Sequence, residues 1–178
     1  MKNYSAILLL LLFISACSTS KQFYKENALI FTFPKNAQKI SVEEFNQKYY
    51  RTRSSEMPYT LKDIYKVDSF IVGMAPIYTR PMASDELVRL LKTSKTLRFG
   101  EHDYGLKNYE SNIRKYGKNE VLTEYLSTDR NNASYFSFIV INPARTQLLS
   151  GALAFPKSDK ANAIVFLDKF LSSIRFKQ

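Results

Sequence analysis

A chain of 178 residues with 45% hydrophobic and 24% charged residues has the composition of a folded domain, not of a disordered one. Its single cysteine excludes an intramolecular disulfide and a thiolate zinc cluster, and its single histidine limits imidazole chemistry to one ring. A net charge of +10 attracts anionic partners, but the basic residues (Lys35, Lys39, Arg89, Lys92, Arg114, Lys115 and Lys118 among them) are scattered, as on a solvated surface.

The first predicted element is a targeting segment. Met1–Asn3 carries one positive charge, and Ala6–Ala16 is apolar apart from Ser15, with leucine at every position from Leu8 to Leu12. As a helix this run rises about 16 Å, against about 30 Å for a hydrocarbon core. It therefore reads as a signal-peptide segment and not as a span. It ends in Ile14-Ser15-Ala16-Cys17, which resembles the bacterial lipobox: an aliphatic residue, two small residues, then the cysteine that becomes residue one. The resemblance implies a signal peptide over 1–16 that is cleaved, and lipid attachment (diacylglycerol, palmitate among its chains) at the Cys17 thiol. One acyl chain binds a membrane only marginally, at about 0.8 kcal/mol per buried methylene, whereas two or three hold firmly. On this reading residues 17–22 are a lipidated tether and 23–178 a single α+β domain. That domain lies in the cell envelope, outside the cytoplasm, on the periplasmic side of a bacterial membrane. Ser18-Thr19-Ser20-Lys21 also matches a Ser-x-x-Lys nucleophile pattern, but beside a lipidated terminus it has no buried helix to sit on.

Along the mature chain, Ala28–Phe33 is apolar and β-rich and stops at Pro34, which predicts a strand. Ser41-Val42-Glu43-Glu44 is a capping box with Ser41 as N-cap. The helix it opens carries Val42, Phe45 and Tyr49 on one face and closes near Arg51, before a polar loop at Arg53–Pro58. Val67–Val72 reads as a strand running toward Tyr78. Ser84-Asp85-Glu86 opens a second helix, amphipathic through Leu87, Val88, Leu90 and Leu91 and closed by Lys92 and Lys95. Thr96–Tyr104 reads as a strand, Lys107–Tyr116 is assigned no element, and Val121–Ser127 is another strand. Tyr135–Ile141, Asn142-Pro143-Ala144 and Gln147–Phe155 form a hairpin that Pro156 stops. Ser158 then caps a final helix with Ile164, Leu167, Phe170 and Leu171 on one face. Strands and helices without regular alternation favour an α+β fold, an antiparallel sheet packed against helices. Ser69-Phe70-Ile71-Val72 echoes Ser137-Phe138-Ile139-Val140, but the flanks differ, so two similar core strands explain it better than a duplication.

The last third, with Phe155-Pro156 entering the final helix and Ser173-Ile174-Arg175-Phe176 closing it, resembles the PsbP-like family. The resemblance covers only this part of the chain. It implies an αβα sandwich used for docking to partners rather than for catalysis.

Signals for chemistry are sparse. His102 lies between Glu101 and Asp103, but strand neighbours point to opposite faces, which is poor geometry for a dyad or a metal. No Gly-x-Ser-x-Gly elbow, glycine-rich phosphate loop or His-Glu-x-x-His motif is present. Asp63, Asp68, Glu124 and Asp129 are carboxylates that folding would have to bring together to form an acid–base pair. The run Gln47-Lys48-Tyr49-Tyr50-Arg51-Thr52-Arg53 mixes cations with rings, a pattern also used to stack on nucleic acid. An export compartment argues against a nucleic-acid partner, and a helix end with inward tyrosines explains the run. The expected function is a membrane-anchored, non-catalytic binding or accessory module for a protein, glycan or headgroup partner, with no cofactor and no metal. The alternatives are a binder of a small amphiphile in the Phe-rich interior and an envelope hydrolase.

Overall fold

The structure, a computed structural model, describes residues 21–26, 29–48, 61–99, 106–128 and 133–177. Cys17, the Tyr49–Arg53 cluster, the loop to Pro58, Glu101-His102-Asp103 and Asp129 lie outside the described residues.

Two antiparallel sheets form the frame. The smaller contains β1 (Lys21–Glu26), β2 (Leu29–Pro34) and β11 (Arg175–Phe176), with β2 in the middle. The larger runs β3 (Gln38–Ile40), β4 (Asp63–Val67), β5 (Phe70–Met74), β10 (Gln147–Pro156), β9 (Ala133–Ile141), β8 (Asn119–Thr128), β7 (Leu106–Tyr116). A short β6 (Tyr78–Thr79) pairs with the start of β10. Among the described residues three α-helices cover it: α1 (Val42–Lys48), α2 (Glu86–Phe99) and α3 (Lys160–Ser173). β1 begins at Lys21, inside the stretch read as tether.

The period-2 rule sorts the large sheet into two faces. Val72, Phe136, Phe138, Val140, Leu149 and Leu153 point to one side, where Leu167, Phe170 and Leu171 of α3 and Phe31 and Phe33 of β2 join them in one core. Ile64, Ile71, Tyr135 and Ala152 point to the other side and meet Phe45 of α1, while Leu122 and Ile141 meet Leu87 of α2. The layers are therefore helix, sheet, helix, as the α+β reading expected. Phe33 stacks on Phe170 with centroids 5.0 Å apart, and Phe31 meets Phe170 edge-on at 5.8 Å. Phe138 meets the same ring edge-on at 5.8 Å, so rings fill the space between sheet and α3.

Several expectations hold at residue level. The Glu44 amide donates to Ser41 Oγ at 3.0 Å, the capping contact. The β9–β10 hairpin turns at Asn142, whose Oδ1 accepts from the amides of Thr146 (2.8 Å) and Gln147 (3.0 Å), while Arg145 takes a φ of 54°.

Others are corrected. Val67–Val72 is not one strand: Asp68 adopts a φ of 54°, and the chain reverses there into the β4–β5 hairpin. Asp is among the residues that tolerate this left-handed conformation, and the long-range bond that Asn36 Nδ2 donates to Asp68 Oδ1 at 2.6 Å ties this turn to the one between β2 and β3. Thr96–Phe99 is helix, not strand, because α2 continues past its lysines. Thr93 and Thr96 donate their hydroxyls to the carbonyls of Arg89 and Lys92, both at 3.1 Å, which accommodates β-branched residues in the helix. Lys107–Tyr116, unassigned from sequence, lies within β7. Ser158 does not cap the last helix; a 3-10 turn over Lys157–Asp159 precedes it, and no side chain caps it. Ile164 is exposed rather than on the buried face, which Ala163, Leu167, Phe170 and Leu171 form at i, i+4, i+7 and i+8. In the internal echo, Ser69 sits in a turn and Ser137 inside a strand, so the two segments are not equivalent units.

Candidate functional site

In an antiparallel meander every second turn falls at the same end of the sheet. The β7–β8 turn at Gly117-Lys118 and the β9–β10 turn at Asn142–Thr146 therefore share an end, and β11 closes in beside them. Between them opens a cleft of about 690 Å³, within the size range of ligand sites.

Each wall is positioned by a specific contact. Gly117 has φ +60° with open space around it, and it alone in its two-residue turn has positive φ, the requirement of a type II′ hairpin. This sets Lys118 at the tip of the turn, exposed. Asn119, buried, donates from Nδ2 to the Ile174 carbonyl at 3.0 Å and so ties the turn to the start of β11. Asn142, also buried, donates from Nδ2 to Thr146 Oγ1 and Gln147 Oε1, both at 3.2 Å, and orients those two polar groups along the rim. Arg175 donates from Nη1 to the carbonyls of Ser172 and Ile174 at 2.8 Å, which holds one end of its guanidinium beside the end of α3. Arg145 belongs to the same turn but not to the lining: its guanidinium is spent on the Ala83 carbonyl and on Glu120 Oε2 at 2.5 Å.

The lining therefore combines three cations (Lys118, Arg175, Lys177), the Gln147 amide that Asn142 orients, the hydroxyls of Thr79 and Thr146, and an apolar patch of Pro143, Ala144 and Phe176. Cations and amide N–H groups hold anions and hydrogen-bond acceptors. They do not supply a proton acceptor poised near neutrality.

The strands also place this cleft relative to the N-terminal side of the domain. Glu26 pairs with Leu29, which pairs with Phe176 at the cleft, whereas Lys21 pairs with Pro34 at the far end of β2. At about 3.3 Å per residue, the two ends of β1 stand roughly 17 Å apart.

Of the four carboxylates that the sequence offered for an acid–base pair, the three among the described residues, Asp63, Asp68 and Glu124, are not brought together. Asp63 on β4 pairs with Lys39 at 2.8 Å, and Asp68 is in the β4–β5 turn. Glu124 is on β8, four strand positions from β4, or about 19 Å at the usual interstrand spacing. Glu124 is buried and accepts from Ser94 Oγ at 2.7 Å, Tyr109 Oη at 2.5 Å and Ser137 Oγ at 3.2 Å. Three hydroxyls satisfy its lone pairs and fasten α2 to the sheet, a structural assignment. On the opposite face Tyr116 donates to Asp168 Oδ1 at 2.5 Å, and Arg114 bonds both. Burial, then that hydrogen bond, drives the Tyr116 phenol well above the usual tyrosine range. No group of three or more His, Cys, Asp or Glu able to hold a metal exists among the described residues.

Nothing in the sequence marks the cleft residues as a site: Asn142, Pro143 and Ala144 enter only as a turn, Arg175 and Phe176 only in the closing motif, and Lys118 only among the scattered cations. The turn signals Tyr-Gly-Lys-Asn and Asn-Pro-Ala-Arg were visible. What was missing was β7, without which the two turns cannot be assigned to one end.

No family model and no curated protein sequence matches the chain. Solved structures do. Cyanobacterial PsbP (CyanoP) from Synechocystis sp. PCC 6803 superposes with a TM-score of 0.52 at 15% identity, over 91% of this chain and 95% of that one. A protein from Bacteroides thetaiotaomicron VPI-5482 superposes with a TM-score of 0.54 at 9% identity, over 91% of this chain but 50% of its own. The Saccharomyces cerevisiae Ran-binding protein Mog1p gives 0.44 at 10% identity, over 89% of this chain and 96% of that one. The fold is thus similar to that of PsbP, and the resemblance read in the last third extends over most of the chain.

Proposed function

We propose that the chain is a lipid-anchored, non-catalytic binding module of the bacterial envelope, which takes an anionic group of its partner into the cleft between the β7–β8 turn, the β9–β10 turn and β11. The observation that carries this reading is the lining: Lys118, Arg175 and Lys177 converge with amide and hydroxyl donors around a cavity of about 690 Å³. Without Lys2 of the signal segment, 25 Lys and Arg against 16 Asp and Glu leave a net charge of +9, a field that draws anions in with a reach of about 8 Å at physiological salt.

With the anchor at Cys17, four residues before β1, the tether reaches at most about 14 Å. The cleft stands at the far end of β2 from that attachment. It therefore faces the aqueous side, toward a carboxylate-bearing protein or glycan of the envelope, rather than the headgroups of its own membrane. The similarity to PsbP supports a docking role only through the fold. The rings packed between sheet and α3 favour this surface site over an amphiphile pocket in the interior.

The test is an NMR titration of the lipid-free mature chain with an acidic peptide, an acidic oligosaccharide and inorganic phosphate. Shifts should concentrate at Lys118, Asn142, Gln147 and Arg175, weaken with salt, and fall at least severalfold in Lys118→Glu/Arg175→Glu. Shifts confined to other surfaces, or unchanged by that double reversal, would remove the cleft as the binding site.

A further inference from the structure

The two edges of the large sheet are treated differently. β3, at one edge, is only three residues long, a common protection against unwanted pairing. β7, at the other, is eleven residues long, holds no proline, and is paired by β8 on one side only. Its single irregularity falls between Leu106 and Asn108 and leaves the rest of the strand regular. No described strand lies on its outer side, and its side chains from Asn112 to Lys115 are exposed, including the β-branched Ile113 at 38%.

We propose that β7 is an interface to a second copy of this chain, the two β7 strands pairing antiparallel about a twofold axis at Asn112. The larger sheet then continues from one copy into the other. A twofold axis normal to a sheet places one residue opposite its own counterpart, so the register is fixed by choosing that residue. Centring on Asn112 sets Glu110 opposite Arg114 of the second copy, and by symmetry twice. It also sets Tyr109 opposite the Lys115 stem and Ser111 opposite Ile113, with no like charges facing. Centring on Ser111 sets Lys107 against Lys115, a like-charge pair, and Arg114 against Asn108. Centring on Ile113 sets Glu110 against Tyr116 and Arg114 against Asn112, and gains no ion pair. The strand is self-complementary in charge in one of these registers, and facing opposite charges are what stabilises cross-strand pairs.

The flanking helix extends this complementarity. Glu110 already pairs with Lys160 of α3 at 2.8 Å while staying 66% exposed, and Arg114 pairs with Asp168 of α3 while staying 44% exposed. Each therefore keeps surface available for a second charge. Across the twofold axis the order becomes Lys160, Glu110, then Arg114 and Asp168 of the second copy: four charges alternating in sign, formed twice. Such a network stabilises more than an isolated surface pair does. The lysines and arginine of β7 could by themselves be read as repelling an incoming strand. The acid four residues before Arg114 makes the edge selective for its own copy instead. A strand of another protein would have to match both signs at that spacing, whereas a second copy does so by symmetry.

The test uses the full-length chain in cells, with Asn112→Cys. Opposed residues in antiparallel strands have Cα atoms about 4.5–5.5 Å apart, within disulfide reach. Non-reducing electrophoresis after mild oxidation should show a covalent dimer for Asn112→Cys, and not for the wild type or for Lys66→Cys on the distant β4. In the Asn112→Cys background, Glu110→Arg should cut the dimer about tenfold, and adding Arg114→Glu should recover part of it, the pairs with Lys160 and Asp168 staying lost. Asn112 is exposed and its exchange leaves the core intact, so failure to fold does not confuse the result. Dimer no greater than in the Lys66→Cys control would overturn the proposal. So would a double reversal no better than the single one, or a crosslinked band of another mass, which would give the edge to a different protein.

Discussion

Gly151 lies on β10 between Phe138 of β9 and Met74 of β5. A Cβ added there would come within 3.0 Å of two carbons of the Phe138 ring and of the Gly73 carbonyl oxygen. Neither can retreat easily. The Phe138 side chain is buried and held edge-on against Phe170, and the Gly73 carbonyl belongs to a paired strand. Overpacking of a closed core costs about 1–3 kcal/mol, and a contact with backbone puts Gly151→Ala at the upper end, about 3 kcal/mol. Against a total stability of about 5–15 kcal/mol this is a large fraction. With a urea dependence near 2 kcal/mol/M, the unfolding midpoint should drop by about 1.5 M. Gly117→Ala is the matched control: its new methyl group meets nothing within 4 Å, so only the positive φ is penalised, at about 1–2 kcal/mol. The second arm is a double-mutant cycle with Phe138→Ala. Removing the ring leaves only the carbonyl contact, so the cost of Gly151→Ala should shrink by about 1 kcal/mol or more. A Gly151→Ala midpoint equal to wild type, or strict additivity in the cycle, would refute the reasoning that ring-to-backbone contact requires glycine here.

Leu167→Asp places an unpaired charge in the core under α3, and the thermal transition followed by circular dichroism should lose its cooperativity; a melt within a degree or two of wild type would mean that this helix face is exposed. Tyr116 has its phenol pKa raised by burial and by Asp168, so the folded state holds that proton more tightly than the unfolded state does. Its contribution is fully present below the ordinary tyrosine pKa of about 10 and is lost as pH rises above it, and denaturant titrations should show a smaller alkaline loss in Tyr116→Phe than in wild type. Cys17→Ser should abolish labelling of the full-length chain by an alkyne fatty acid, and equal labelling of both would remove the lipobox reading. His102→Ala should leave partner binding unchanged, and a loss at unaltered stability would shift the reading toward catalysis.

Sequence patterns revealed elements whose signal is local. The Ser41 capping box, the β9–β10 hairpin with its Asn-Pro turn, and the Leu167–Leu171 helix face each depend on residues within one or two turns of one another. β7 was hidden because Lys107-Asn108-Tyr109-Glu110-Ser111-Asn112 is polar on both sides, as an edge strand with a solvated outer face can be, so no alternation marks it. The β4–β5 reversal was hidden because Val67-Asp68-Ser69-Phe70 carries no glycine and Asp68 supplies the positive φ instead. Phe99 remains helical where Thr96, Leu97 and Phe99 suggest a strand, since intrinsic propensity is a weak preference that tertiary context overrides. The cleft was the least legible part. Its walls come from positions 79, 117–119, 142–147 and 175–177, and only the sheet order places them side by side.

β2 lies between the first and last described strands, with Lys21 at one end of this three-stranded sheet and Phe176 at the other. A pull transmitted between an N-terminal attachment and a partner seated at β11 would act along the strands and not across them. All six β1–β2 residue pairs from Lys21↔Pro34 to Glu26↔Leu29 would then be loaded together in shear, instead of opening one after another like a zipper. Under such a pull, tension would cross from β1 to β2 in shear at one end of the domain, while at the other end β11 and the two turns of the eight-stranded sheet that line the cleft would share it.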